Sequence, residues 1–232
     1  MRIITWPDIL VPRDIEFFLA PRTKTGGPAL NGFTQVVGPP NDIWRAEFTF
    51  PPQQQDGVRL YRALQADMAG RLVGAWLKVW DRFGWDYATA YGVTQPTADI
   101  PFSDTALFSD GSGFAPPKLR VPLDVAGSQY DVEVTLDSTQ LVGAVPSGVY
   151  VSIGGWLHQV IAAGAASGGQ VVMRIRPGLR EDFAVGTEVD FEPRVLVRFA
   201  SDETGRLPLN FGRWGEPTIQ VEEVMNRDGL SV

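Results

Sequence analysis

The sequence contains no cysteine, one histidine and few lysines, and each of these shortages excludes a class of protein. Without cysteine, the chain cannot form a disulfide scaffold, a thiolate zinc site, an iron–sulfur cluster or a cysteine nucleophile. Only Lys24, Lys78 and Lys118 are lysines, and 27 acidic residues outnumber 20 basic ones, for a formal net charge of −7. A nucleic-acid-binding surface needs clustered positive charge. We therefore expect no sequence-specific nucleic-acid binding.

Long apolar runs are also missing. Pro7, Asp8 and Pro12 interrupt the start of the chain before a signal-peptide core of about 7–15 apolar residues could form. The stretch LVGAWLKVW is interrupted by Lys78 and falls short of the roughly 20 apolar residues that span a bilayer. We expect a protein made in the cytoplasm, without an export signal or membrane insertion.

The single histidine, His158, lies in an alternating segment that keeps breaking at glycine, GVYVSIGGWLHQV. A catalytic triad or a metal site needs partners, and one imidazole with carboxylates is the only zinc set that the composition allows. A half-buried position in a β-hairpin is the simpler interpretation. We expect no catalytic residue, no metal site and no cofactor, and hence no enzyme.

Short alternating segments predict a mainly β protein of the α+β class. In the strand IWRAEFTF, alternation predicts one buried face and places Arg45 and Glu47 on the opposite face. One helix is predicted over residues 58–70, because Leu60, Leu64 and Met68 recur at four-residue spacing and Gly70 ends the pattern. The residues predicted to be buried in the strand are Trp44, Ala46, Phe48 and Phe50.

The order of these segments predicts two domains. Residues 1–115 are expected to form an N-terminal β-sandwich or sheet with the one helix, and residues 116–203 a small C-terminal Greek-key β-barrel. Residues 204–232 are expected to return to the first domain as a strand. The Pro-, Ser- and Gly-rich segment 84–118 indicates a functional loop, an interaction arm or a domain junction.

Two long stretches of the sequence carry a resemblance to a known family. Residues 30–81 contain a Gln-Val-Val strand, a Trp-Arg-Ala strand and a helix in fixed order. Residues 148–203 contain the strand pair VSIGGWLHQV, a glycine hairpin, and then MRIRPGLRED, GTEVDFEP and VLVRFA. Together they resemble the distal tail proteins of long-tailed phages and prophages that infect proteobacteria.

The resemblance implies a structural role. In such proteins the N-terminal part forms a ring at the end of the tail tube, and the C-terminal part is an inserted or appended β-domain; tube and hub components look similar at this level. It implies a homo-oligomer, a hexameric ring, at the tail tip of the virion, with the tail-tube protein and hub or tail-fibre proteins as partners. None of its motifs is catalytic.

A ring subunit needs large interfaces, whose cores are enriched in aromatic residues and arginine. The chain has seven tryptophans, and arginine accounts for all but three of its 20 Lys and Arg residues. Its acidic charge suits the wall of a DNA conduit, because a negative lumen repels phosphate. The candidate interface residues are Arg45, Glu47, Trp80, Trp85, Arg174 and Arg176.

The aromatic stretch at residues 76–91 leaves an alternative function open. It sets Asp81 and Asp86 among six aromatic rings, and glycosidases place two carboxylates in an aromatic cleft. The same density of rings is also typical of a core or an interface. A carbohydrate-binding or glycan-hydrolysing module, or a generic β-rich interaction protein, therefore remains an alternative.

Overall fold

The computed structural model of the protein describes residues 1–21, 23–25, 36–38, 42–96, 100–101, 105, 107–109, 113–210 and 214–227. The fold is mainly β, with 39% strand and 9% helix, so the expected fold class is confirmed. The described strands are β1 (Arg2–Thr5), β2 (Asp14–Ala20), β3 (Lys24–Thr25), β4 (Val36–Val37), β5 (Ile43–Thr49), β6 (Gln53–Gln54), β7 (Val73–Lys78), β8 (Arg120–Pro122), β9 (Glu133–Asp137), β10 (Tyr150–Ile153), β11 (Trp156–Ala163), β12 (Gln170–Arg176), β13 (Glu188–Asp190), β14 (Arg194–Phe199), β15 (Trp214–Gly215) and β16 (Thr218–Glu223). The described helices are α1 (Asp56–Met68) and α2 (Tyr87–Tyr91).

The chain forms two compact units. Unit 1 consists of Met1–Trp80, Gly155–Leu157 and Arg194–Val232, and unit 2 consists of Asp81–Gly154 and His158–Pro193. The expected limits lay near residues 115 and 203. The limits differ because the chain leaves the sheet of unit 1 after β7 and re-enters it at β14.

Unit 1 contains a six-stranded sheet in the order β1-β7-β14-β16-β5-β2. β1 runs parallel to β7, and the other neighbours in the sheet are antiparallel. The barrel expected over residues 116–203 included the residues of β14, and this expectation is wrong. β14 pairs with β7 and β16 in the sheet of unit 1. Of the expected Gln-Val-Val strand, Gln35 lies outside the described part, and Val36–Val37 form β4, which pairs with β3.

The core of unit 1 lies between the sheet and α1. Trp44, Ala46, Phe48 and Phe50 are all at most 3% exposed, which confirms the predicted buried face of the strand. The ring of Tyr61 on α1 packs edge-on against Phe50, at 6.0 Å between centroids.

Helix α1 begins two residues earlier than predicted and ends at Met68. Its buried stripe is Val58, Tyr61, Leu64 and Met68, whereas Leu60 remains partly exposed. The helix ends because Ala69 and Gly70 both adopt the left-handed region, with φ of 45° and 66°.

Unit 2 contains a curled six-stranded antiparallel sheet in the order β8-β13-β10-β11-β12-β9, although the first two residues of β11 belong to unit 1. Its first and last strands meet at a bridge between Leu123 and Leu136. Hairpins join β10 to β11 and β11 to β12, and β13 then lies beside β10. This order is a Greek key.

Helix α2 was not predicted. Its five residues are too few to show a helical period, and the surrounding segment is rich in aromatic residues. Asp86 is its N-cap and accepts a hydrogen bond from the Thr89 backbone N–H at 2.9 Å. Gly92 ends the helix at a φ of 69°.

Candidate interaction surface

The face of the unit 1 sheet opposite its buried side carries a row of charged residues across three strands. In the strand register, Arg198 of β14 lies opposite Glu222 of β16, and Glu222 lies opposite Arg45 of β5. Alternation places all three side chains on the same face. The expectation that Arg45 projects away from the core is confirmed, since Arg45 is exposed.

Glu222 is the centre of this row. Its side chain is only 10% exposed. Its Oε1 accepts a hydrogen bond from Arg71 Nη2 at 2.9 Å and two from Arg198, from Nε at 3.1 Å and from Nη2 at 2.9 Å. A carboxylate held out of water needs such charged donors, because its desolvation is costly.

Arg45 contacts the same carboxylate less closely. Its Nη2 lies 3.9 Å from Glu222 Oε2, which is beyond hydrogen-bond distance. The side chains of Arg45, Arg71 and Arg198 are 49%, 45% and 37% exposed, so all three guanidinium groups also face solvent. We call Arg45, Arg71, Arg198 and Glu222 the arginine cluster; three positive charges surround one negative charge.

Glu47 lies two residues from Arg45 on the same face but does not join the arginine cluster. Its Oε2 accepts a hydrogen bond from Gln220 Nε2 at 2.8 Å, and it lies opposite Glu16 of β2. The two carboxylates therefore form an acidic row beside the basic one.

The sequence did not reveal Arg71, Arg198 or Glu222 as partners of Arg45. They are widely separated along the chain, and only the strand register and the turn after α1 bring them together. No short sequence motif links these residues, so the cluster can be recognised only once the pairing of the strands is known.

Trp80 and Trp85 were candidates for interface aromatics. Trp80 is half-buried and packs edge-on against Phe48, at 5.9 Å between centroids. Trp85 is 6% exposed and packs edge-on against Phe191 at 5.0 Å in unit 2. Trp85 thus contributes to the core of its unit and leaves little of its ring for another chain.

Arg174 and Arg176 project from the outer face of β12. The buried residues Met173 and Ile175 alternate with them, as predicted, and the strand ends before Pro177. Arg174 lies opposite Glu133 of β9 in the register. Both arginines are exposed on the curled sheet of unit 2.

The aromatic stretch that raised the carbohydrate alternative is engaged mainly in packing. Of its six rings, that of Phe83 is exposed, at 90%, and the other five are buried or half-buried. Asp81 accepts a hydrogen bond from the backbone N–H of Phe83 at 2.8 Å, and Asp86 caps α2. Each carboxylate therefore has a local structural role.

His158 is 0% exposed, which corrects the expected half-buried position. The alternating segment folds back at Gly154, whose φ of 57° suits glycine, so His158 lies on the second strand of the hairpin. Its Nδ1 lies 2.8 Å from the Pro177 carbonyl oxygen. Because a carbonyl can only accept, Nδ1 carries the proton and donates it to this bond.

No protein-family model matches the sequence, and no curated protein matches it. Within the described ranges, no three His, Asp or Glu side chains are grouped so as to hold a metal ion. None of the described helices has the length and apolar character needed to cross a membrane.

Proposed function

We propose that the chain is a structural protein of a long-tailed phage, a distal tail protein. Copies of it form a closed ring, a hexamer, that joins the tail tube to the tip and lets DNA pass. The observation that carries the proposal is the resemblance over most of residues 30–203. A helix-covered sheet and a separate Greek-key sheet in one chain support it, because the resemblance implies these two parts.

The proposed role is not enzymatic. The carboxylates considered for glycan hydrolysis cap local backbone, and the single histidine is buried with a ring nitrogen donating to a backbone carbonyl. These contacts stabilise the local fold, which agrees with the proposed role as a structural subunit.

The charge of the chain supports a place around a DNA conduit. A net charge of −7 repels the phosphate backbone and so favours passage over trapping. In the proposed virion tail tip, the ring contacts the tail-tube protein on one side and hub or tail-fibre proteins on the other.

Negative-stain electron microscopy of the purified chain tests the proposal. We expect ring-shaped particles whose class averages have six-fold symmetry around an open centre. Particles of single subunits, with and without added tail-tube protein, together with dose-dependent binding to a glycan array, would contradict the ring and favour the carbohydrate alternative.

A further inference from the structure

We propose that the arginine cluster is an oxyanion site that receives a carboxylate from a neighbouring copy of the chain. This inference rests on the proposed ring and deepens it, because it assigns one side of the contact between subunits. It concerns Arg45, Arg71 and Arg198 together with Glu222, all of which lie in unit 1.

The first support is the number of hydrogen-bond donors. A guanidinium group has five N–H donors. Arg71 gives one and Arg198 gives two to Glu222, whereas Arg45 lies beyond hydrogen-bond distance of it. The cluster therefore holds more donors than the single carboxylate within the described residues uses.

The second support is the exposure of the three guanidinium groups. Each side chain is between 37% and 49% exposed, although Glu222 beneath them is nearly buried. Guanidinium groups bind carboxylates in a planar, bidentate manner that suits recognition at interfaces. A second carboxylate arriving from solvent can therefore contact the exposed edges of the cluster.

The third support is the local charge. Three arginines and one glutamate give a surplus of two positive charges on a chain whose net charge is −7. The nearby acids Glu47 and Asp202 accept hydrogen bonds from uncharged groups, the Gln220 side-chain amide and the Arg71 backbone N–H at 3.2 Å. Neither of these hydrogen bonds uses a guanidinium donor, so among the described residues Glu222 is the carboxylate that accepts hydrogen bonds from the cluster.

The occupant is a copy of the chain because of charge complementarity. Two copies with an excess of carboxylates repel each other, so a contact between them needs a local positive surface against a negative one. In a closed ring the contact is heterologous, and a given patch meets a different patch of the neighbour. Carboxylates are the charged groups that the neighbour has in excess, at 27 against 20 basic residues.

Arg45→Gln is the test variant, since Arg45 donates no hydrogen bond to Glu222 and its loss leaves the buried carboxylate paired. The matched control is Arg59→Gln, because Arg59 is 81% exposed on α1 and its ion pair within the described residues is with the exposed Asp56. Light scattering over a concentration series gives the concentration at which the ring half-dissociates. We expect this concentration to rise about tenfold in Arg45→Gln and to stay unchanged in the control.

Citrate and inorganic phosphate serve as probes of the site in a titration calorimeter, with dilute protein. We expect citrate to bind the wild type and Arg59→Gln, to bind Arg45→Gln about tenfold more weakly, and to dissociate the ring at higher concentration. Phosphate binding without citrate binding would assign the site to a free phosphate ion and overturn the inference.

The remaining outcomes separate this inference from the ring itself. A ring that forms equally in Arg45→Gln and resists citrate would overturn the inference and leave the ring standing. A chain that is monomeric at every concentration, even if it binds citrate, would overturn the ring and with it the neighbouring copy as occupant.

Discussion

Glu222 is a nearly buried carboxylate that accepts hydrogen bonds from two arginines on the polar face of unit 1. Its side chain is 10% exposed, and Arg198 supplies two of the three hydrogen bonds that it accepts from the described residues. Losing a charged partner leaves part of the desolvation penalty unbalanced. Arg198 and Arg45 therefore have different roles, although both lie beside the same carboxylate.

Arg198→Gln is expected to lower the free energy of unfolding by about 2 kcal/mol, as is typical for hydrogen bonds to a charged group. Urea denaturation of the dilute, unassembled chain measures this, with Arg45→Gln as the control that we expect to change stability by less than about 0.5 kcal/mol. Adding Glu222→Gln to Arg198→Gln should recover part of the loss. Equal effects of the two arginine variants would contradict the distinction.

His158 lies on a strand, as expected, but it is more deeply buried than expected. It is fully buried, and its Nδ1 donates to the Pro177 carbonyl oxygen. We expect His158→Gln, which keeps an N–H donor, to assemble like the wild type. His158→Leu removes the donor and is expected to cost about 1–3 kcal/mol of stability.

Thermal and urea unfolding measure the stability of the two histidine variants, and light scattering measures the mass of their assemblies. A His158→Gln variant that folds and assembles to the wild-type mass but loses a specific activity of the protein would contradict a purely structural role.

At the scale of elements, α2 shows how one capping residue controls a short helix. Two hydrogen bonds from Thr89 lower the pKa of Asp86. The bond from the Thr89 hydroxyl has the larger effect, and the bond from its backbone N–H has the next largest. A lowered folded-state pKa means that the carboxylate form stabilises the folded state. This stabilisation is present above the ordinary pKa of aspartate and is lost as the pH falls through the lowered value.

The expected result is a pH-dependent difference between the wild type and Asp86→Ala. The wild type should have the higher melting temperature at pH 7, and the difference should shrink as the pH falls below 4. Thermal unfolding followed by circular dichroism measures both. A difference that stays constant from pH 7 to pH 2.5 would contradict the capping role of the carboxylate.

The elements also show what the sequence can predict. Four-residue spacing predicted α1, and alternation predicted the buried face of β5, because both patterns reflect which side of an element is buried. The same alternation in β14 identified a strand but not its partners, so that strand was placed in the barrel although it pairs with β7 and β16. Pairing depends on contacts far apart in sequence, which periodicity does not encode.

The candidate site was predictable only in part for the same reason. Alternation identified Arg45 and Glu47 as projecting away from the core. It gave no means of finding Glu222 opposite Arg45, or of distinguishing the paired Glu47 from the arginine cluster. Trp85 had the composition of an interface residue, but its packing against Phe191 places it in a core.

At the scale of the whole molecule, the net charge and the exposed arginines support the proposed assembly. The chain is acidic overall, yet unit 1 exposes a positive cluster, and unit 2 exposes Arg174 and Arg176. An acidic protein with positive patches can associate through complementary surfaces while the rest of its surface repels. The proposed ring around a DNA conduit would use both properties.

The absolute mass of the purified chain, measured by light scattering across a concentration series, tests the ring most directly. Six copies of a 25.4 kDa chain give about 152 kDa, and we expect the mass to reach this value and stay there as the concentration rises, because a closed ring has no free end. A mass of one chain at every concentration, or one that grows without limit, would contradict the ring.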